Sequence, residues 1–103
     1  MQVAQALVAG YRPVIAPAVA ERIRRLPPEL KRAVREAIRA VGTDPRRGEP
    51  LRRELEGYLK FKVRRYRIVY RVDRESRTVS IVALGHRRSV YEETADRMRT
   101  GRR

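Results

Sequence analysis

The stretch YLKFKVRRYRIVYRVDR, residues 58–74, decides the fold, because its apolar residues recur at every second position. This period of two is typical of a strand with one buried face. The pair Arg64-Arg65 separates two such runs and predicts a tight turn, so the whole stretch predicts a β-hairpin. The alternating apolar positions are Leu59, Phe61 and Val63 in the first run and Ile68, Tyr70 and Val72 in the second.

Cations fill most of the positions between these apolar residues. Because hairpin pairing buries the two apolar sets together, the two cationic sets must share the opposite face of the sheet. The stretch carries seven basic residues and one acid. A merely solvated face usually mixes the two signs, so we favour a face that binds phosphate, with the solvated face as the alternative.

The segments before the hairpin predict one strand and two helices. Residues 11–16 predict a short edge strand, since the proline within them cannot donate to a ladder. Residues 17–26 and 28–41 each place apolar side chains at helical spacing, with a short break between the two helices. Gly42 is a natural stop for the second helix, and residues 43–57 predict a loop.

The segments after the hairpin complete the fold class. Residues 78–85 form an almost continuous apolar run, which predicts a central strand buried on both faces, and residues 87–98 predict a last helix. We therefore predict an α+β protein of order β-α-α-β-β-β-α, with a four-stranded antiparallel sheet and helices on one face. The 103 residues fit one domain, residues 1–103, with residues 1–10 as an N-terminal extension.

The composition narrows the function. There is no cysteine and one histidine, so we expect no disulfide, no transition-metal site and no cofactor. No run approaches the roughly 20 apolar residues of a membrane span, and the first ten residues lack the features of a signal peptide. We therefore expect a cytoplasmic protein. The net charge of +14 indicates a polyanionic partner, the alternative being a generally arginine-rich surface.

A row of cations can also perform chemistry on RNA. Cleavage needs the 2′-hydroxyl deprotonated, the charge on the phosphorane neutralised and the leaving 5′-oxygen protonated. Lysines and arginines supply the second requirement, and a lysine crowded by like charges can donate a proton. A tyrosine among cations can act as a base. We identify no evident carboxylate base in the sequence.

The segments LEGYLKFKVRRYRIVYRVD and VSIVALGHRRSVYEE resemble the RelE/ParE superfamily of toxins from bacterial and archaeal toxin–antitoxin pairs. The resemblance spans roughly residues 11–98. It implies catalytic roles for a set of residues that RelE-type members need. That set is Lys60, Lys62, Arg67, Arg87 and Tyr91.

The resemblance and the charge pattern together suggest further contacts with RNA. His86 is expected either to donate a proton to the leaving oxygen or to stack on a base, with helix capping as the structural alternative. Several arginines are expected to bind RNA phosphates or an antitoxin's acids. They are Arg46, Arg47, Arg52, Arg53, Arg64, Arg65, Arg71 and Arg88.

Three functions remain open at this point. The filled RelE-type set implies a ribosome-dependent endoribonuclease that cuts mRNA in the A site by 2′-hydroxyl attack, without a metal. The alternatives are a ParE-like gyrase inhibitor without catalysis and an inactive homologue that binds its antitoxin. The partners expected are an antitoxin with an acidic helical segment, the 70S ribosome and mRNA, and no membrane.

Overall fold

The computed structural model describes residues 10–101, except the side chains of residues 87, 88 and 100. The expected extension at residues 1–10 therefore lies almost wholly outside the described residues. Within these residues, five strands and three α-helices follow one another. In order they are β1 (Arg12–Ile15), α1 (Pro17–Arg24), α2 (Pro28–Thr43), β2 (Glu49–Pro50), β3 (Leu59–Val63), β4 (Tyr66–Asp73), β5 (Thr78–His86) and α3 (Arg87–Gly101).

The strands form one mixed sheet in the order β1-β5-β4-β3-β2. β3, β4 and β5 make an antiparallel meander, and the predicted hairpin is confirmed by the pairing of Val63 with Tyr66 across Arg64-Arg65. β5 is central, as its apolar run predicts. β1 lies at one edge, also as predicted, but it pairs with β5 in parallel.

The prediction of four antiparallel strands was wrong in two respects. β1 is parallel to β5 because the helical hairpin carries the chain to the far edge, from which the meander returns by two reversals. The fifth strand, β2, has only two residues, and its pairs with β3 are Glu49 with Lys60 and Pro50 with Leu59. A strand of that length shows no periodicity for sequence reasoning to detect.

The helices lie on both faces of the sheet, which corrects the prediction of helices on one face. α1 and α2 cover one face, where buried Ile23, Val34 and Ile38 pack against the apolar set of the hairpin. α3 covers the other face through Val90, which packs against Val69 and Ala83. The register of the β4–β5 pairing shifts between Val69 and Tyr70. β5 contributes side chains to the cores on both faces of the sheet.

Gly42 does not end α2, contrary to the sequence prediction. The helix continues to Thr43, and the chain becomes extended at Asp44. A Cβ at Gly42 would lie 3.1 Å from the carbonyl oxygen of Tyr11, while the Tyr11 amide donates a 2.8 Å hydrogen bond to the Gly42 carbonyl. Gly42 is therefore suited to the close approach of β1 rather than to helix termination.

Candidate functional site

The cations of β3 and β4 share one face of the sheet, as the alternation predicts. Lys62 lies directly opposite Arg67, and Lys60 lies opposite buried Val69. Since Val69 contacts the α3 side of the sheet, the cations lie on that side as well. We call Lys60, Lys62, Arg67 and Arg71 the cationic face.

The segment that leads into β2, together with the first residue of β2, adds two oppositely charged residues to this face. Arg47 and Glu49 flank Gly48, and the Glu49 carboxylate lies 3.6 Å from the Lys60 ammonium. Glu49 is Lys60's cross-strand neighbour, so the pairing of β2 with β3 brings the two together. The sequence reasoning identified no evident carboxylate base and did not consider Glu49, which the structure places beside Lys60.

Residues of the cationic face, together with Arg47 and Glu49, line an open cleft of about 440 Å³. Four cations, one carboxylate and the backbone of β3 surround a space large enough for a nucleotide's phosphate and sugar. Cations next to a carboxylate offer both charge stabilisation and a proton acceptor at one place. The residues that line this cleft are Arg47, Glu49, Lys60, Phe61, Lys62 and Arg67.

The Arg67 guanidinium is held by the hairpin turn. Its Nη1 donates to the carbonyl oxygens of Tyr66, at 3.0 Å, and Arg64, at 3.3 Å. Arg64 has φ of 57°, a left-handed conformation that is costly for a residue with a Cβ. The turn thus presents backbone oxygens that fix the charge of Arg67 beside Lys62.

Tyr91 lies beside the cleft but does not open into it. The Lys60 ammonium stands 5.8 Å from the centre of its ring, a cation–π distance. The Tyr91 hydroxyl is buried and has no hydrogen-bond partner within the described part of the chain. In this arrangement the ring supports Lys60, and the hydroxyl would reach substrate only if α3 shifted.

His86 is separated from the cleft. The side chains of the two arginines that follow it lie outside the described part of the structure. His86 pairs with Tyr66, and the two rings are 4.6 Å apart. Because Arg67 follows Tyr66 in β4, the register directs His86 to the face opposite Arg67. Arg87 and Arg88 begin α3, but their side chains are among those that the structure does not describe.

The remaining predicted RNA-binding arginines within the described side chains are all exposed but spread over four places. Arg46 is 3.7 Å from Asp44 and lines a separate cavity with Tyr11. Arg52 and Arg53 line another cavity against α3. Arg64 and Arg65 form the tip of the hairpin, and the Arg71 guanidinium lies 5.8 Å from the ring centre of Tyr58.

Buried Tyr70 lies behind the cleft, on the α1–α2 side of the sheet. Its hydroxyl donates to the Pro45 carbonyl at 2.6 Å and accepts from the Gly48 amide at 2.9 Å. Burial raises the pKa of this hydroxyl, with the Gly48 hydrogen bond acting in the opposite direction. Tyr66 and Tyr70 both belong to the core as predicted, Tyr66 being partly buried.

Residues 10–101 contain neither a cluster of potential metal ligands nor a membrane-spanning helix. No three His, Asp or Glu side chains within that range gather closely enough to hold a metal ion. No helix within it is long and apolar enough to cross a membrane.

Comparison with known proteins adds independent information. Residues 14–91 match the family described as ParE toxin of type II toxin-antitoxin system, parDE. The chain is 41% identical over 71 residues to toxin RelG of Mycobacterium tuberculosis, covering 67% of this chain and 82% of that protein.

Solved structures show the same fold. The M. tuberculosis toxin–antitoxin complex RelBE2 contains a chain that matches with a TM-score of 0.71 and 34% identity, covering 77% of this chain and 93% of that one. A free mutant of the Escherichia coli toxin RelE matches with a TM-score of 0.71 and 25% identity, covering 85% and 97%. The chain described here belongs to the RelE/ParE superfamily and is a toxin of the type II toxin–antitoxin class.

Proposed function

We propose that the protein is a ribosome-dependent endoribonuclease that cleaves mRNA in the A site by attack of a 2′-hydroxyl on the adjacent phosphate. The observation that carries this proposal is the cleft in which Glu49 lies 3.6 Å from Lys60, on the face where Lys62 stands directly opposite Arg67. A carboxylate beside these cations adds a proton acceptor that phosphate binding alone does not require.

Glu49 is the proposed general base. Its carboxylate accepts the proton of the 2′-hydroxyl as the 2′-oxygen forms a bond to phosphorus. Lys60 holds that carboxylate from one side and has the ring of Tyr91 on another. The pair thus orients the base while leaving most of the Glu49 side chain, 77% exposed, open to substrate.

Lys62 and Arg67 are the proposed electrophilic pair. Lys62 is exposed, and no carboxylate of residues 10–101 forms an ion pair with it. Together with Arg67 it stabilises the charge that grows on the phosphorane oxygens. As the bond from phosphorus to the 5′-oxygen breaks, Lys62 donates a proton to the leaving oxygen, and a 2′,3′-cyclic phosphate remains on the upstream fragment.

Arg87 is assigned to the same transition state by the resemblance to RelE-type toxins. No step in this scheme requires a metal ion. His86 and Tyr91 receive no proton-transfer step, since His86 pairs with Tyr66 and the Tyr91 hydroxyl is buried. The ribosome supplies the in-line orientation of the 2′-hydroxyl, a positioning term that side chains on an open sheet face cannot provide alone.

Single-turnover cleavage on ribosomes programmed with a short mRNA tests the proposal. The Arg67→Ala protein should cleave about 10²-fold more slowly than wild type once bound, while its affinity for the ribosome, shared among many arginines, should change little. Arg35→Ala is the matched control, because Arg35 is exposed on α2, across the sheet from the cleft. Equal cleavage by both variants would remove Arg67 from the mechanism.

The ParE description of the matching family favours one second candidate, a gyrase inhibitor without catalysis. The two functions differ in what stops first when the protein is expressed alone. Arrest of translation with mRNA cut at ribosomes supports the nuclease. Normal translation with loss of DNA supercoiling would support gyrase as the target.

The antitoxin is a further proposed partner. The toxin-antitoxin complexes of RelBE2 and of an archaeal RelE with RelB show that relatives of this fold bind antitoxins. The net charge of +14 favours a partner with an acidic segment. Such a segment would neutralise the cationic face and block access to the cleft.

A further inference from the structure

One phenol fixes the segment that brings Arg47 and Glu49 to the cleft. The Tyr70 hydroxyl hydrogen-bonds Pro45 on its carbonyl side and Gly48 on its amide side. These two contacts lie three residues apart in the chain, so one oxygen holds both ends of a single short turn. Arg47 and Glu49 are the residues directly before and after the held amide.

The Pro45–Gly48 turn packs closely against β3 and Tyr70. A Cβ on Gly48 would lie 2.2 Å from the Tyr70 hydroxyl oxygen and 2.8 Å from the carbonyl oxygen of Lys60. Such distances are far below contact, so only glycine permits the backbone to approach both atoms. The Tyr70 hydroxyl therefore occupies the space that a side chain at position 48 would need.

Tyr70 itself is rigidly placed. It is fully buried in the core of α1, α2 and the sheet, and it faces Leu59 across the hairpin. A buried ring in a packed core has little freedom of rotation. Through the Tyr70 hydroxyl, the packed core therefore fixes the position of the Pro45–Gly48 turn at the edge of the sheet. The side chains of Arg47 and Glu49, beside Gly48, are exposed.

We propose that the Tyr70 hydroxyl is a positioning residue of the cleft, which acts by holding the Pro45–Gly48 turn so that Glu49 and Arg47 face Lys60 and Lys62. The proposal rests on the function proposed above for the role of Glu49 as base. It assigns Tyr70 no contact with RNA, since the ring lies on the opposite side of the sheet from the cleft. β2, with its two residue pairs, is too short to fix Glu49 unaided.

The first test is a double-mutant cycle in single-turnover cleavage on ribosomes. Tyr70→Phe keeps the ring and removes the oxygen, and it should slow cleavage by about tenfold through loss of alignment. In a Glu49→Gln background the same change should cost clearly less, because one of the two groups that Tyr70 positions is gone. A purely structural role would give the same fold-change in both backgrounds, and that result would overturn the proposal.

Tyr11→Phe is the matched control. Tyr11 is a partly buried tyrosine whose ring stacks with Arg77, 4.7 Å from the ring centre, and it does not line the cleft. The Tyr11→Phe protein should cleave mRNA at the wild-type rate. Thermal unfolding of each variant shows whether the protein is folded at the assay temperature.

A second measurement does not depend on catalysis. Amide hydrogen exchange at Gly48 should be faster in the Tyr70→Phe protein than in wild type, and the affinity of a short 2′-deoxy-modified RNA should fall. If wild type does not cut mRNA, the proposed function fails, while these two readouts still decide the positioning role. Unchanged exchange together with unchanged RNA affinity would overturn the positioning role, whatever reaction the cleft performs.

Discussion

Replacing Glu49 with glutamine tests the proposed base of the cleft, because glutamine keeps the size of the side chain and removes its charge. The structure allows the two expected effects to be separated. Two unit charges 3.6 Å apart attract by about 1 kcal/mol at the dielectric constant of water and about 4.6 kcal/mol at an effective value of about 20. Since the Glu49 side chain is 77% exposed, the lower value applies, as for most surface ion pairs.

The free energy of unfolding should therefore fall by less than about 1 kcal/mol in the Glu49→Gln protein. Loss of a general base costs much more in rate, about 10²- to 10⁴-fold. The assay is single-turnover cleavage of ribosome-bound mRNA at saturating toxin, with urea unfolding of the same preparation. A large loss of rate without a matching loss of stability is the expected pattern.

Glu54→Gln is a closely matched control for this experiment. Glu54 also makes a 3.6 Å ion pair, with Arg99, and its side chain is 70% exposed. It lines a different cavity, beside α3. If the Glu49 and Glu54 variants cleave at the same rate, Glu49 is not the base and its place in the cleft serves only to balance charge.

Three further predictions concern stability and binding. Because burial raises the pKa of Tyr70 above its ordinary value of 10.0, the unfolded chain ionises first, so wild type should lose stability more steeply than Tyr70→Phe in urea unfolding above about pH 10. Arg64 has φ of 57°, so Arg64→Gly should raise the free energy of unfolding by up to about 1 kcal/mol in urea unfolding, while ribosome binding, measured by titration, should change little. Antitoxin affinity, measured by calorimetry, should fall with added salt but not vanish, and a complex indifferent to salt would contradict an acidic partner on the cationic face.

The hairpin and its charged face could be predicted because each depends on local pattern alone. Alternation fixed which residues of β3 and β4 share a side, and the turn residues fixed the register. The same pattern also held a signal that the prediction did not use. Val69 is apolar at a position where the alternation places cations, and it marks the patch that α3 covers.

The carboxylate of the cleft could not be predicted in the same way. Glu49 lies 11 residues from Lys60 in the chain, in a segment whose prolines and glycines indicate only a loop. Its position depends on a two-residue strand and on the long-range contact of Gly48 with Tyr70. Such contacts follow from tertiary packing and leave no local periodicity, and Glu54 and Glu56 lie closer to the hairpin in the chain, so sequence position alone does not single out Glu49.

The arrangement of the cationic face explains why the fold tolerates it. Lys62 directly opposite Arg67 is a like-charge cross-strand pair, which destabilises a sheet. Lys60 has no cation opposite it on β4, because Val69 holds that position, and Glu49 and the Tyr91 ring flank its ammonium. The cross-strand repulsion is thus between Lys62 and Arg67, which face the proposed phosphate. A bound anion would relieve it. A pentacoordinate phosphorane carries more negative charge than the ground-state diester, so this relief grows toward the transition state, which is the condition for catalysis rather than simple binding.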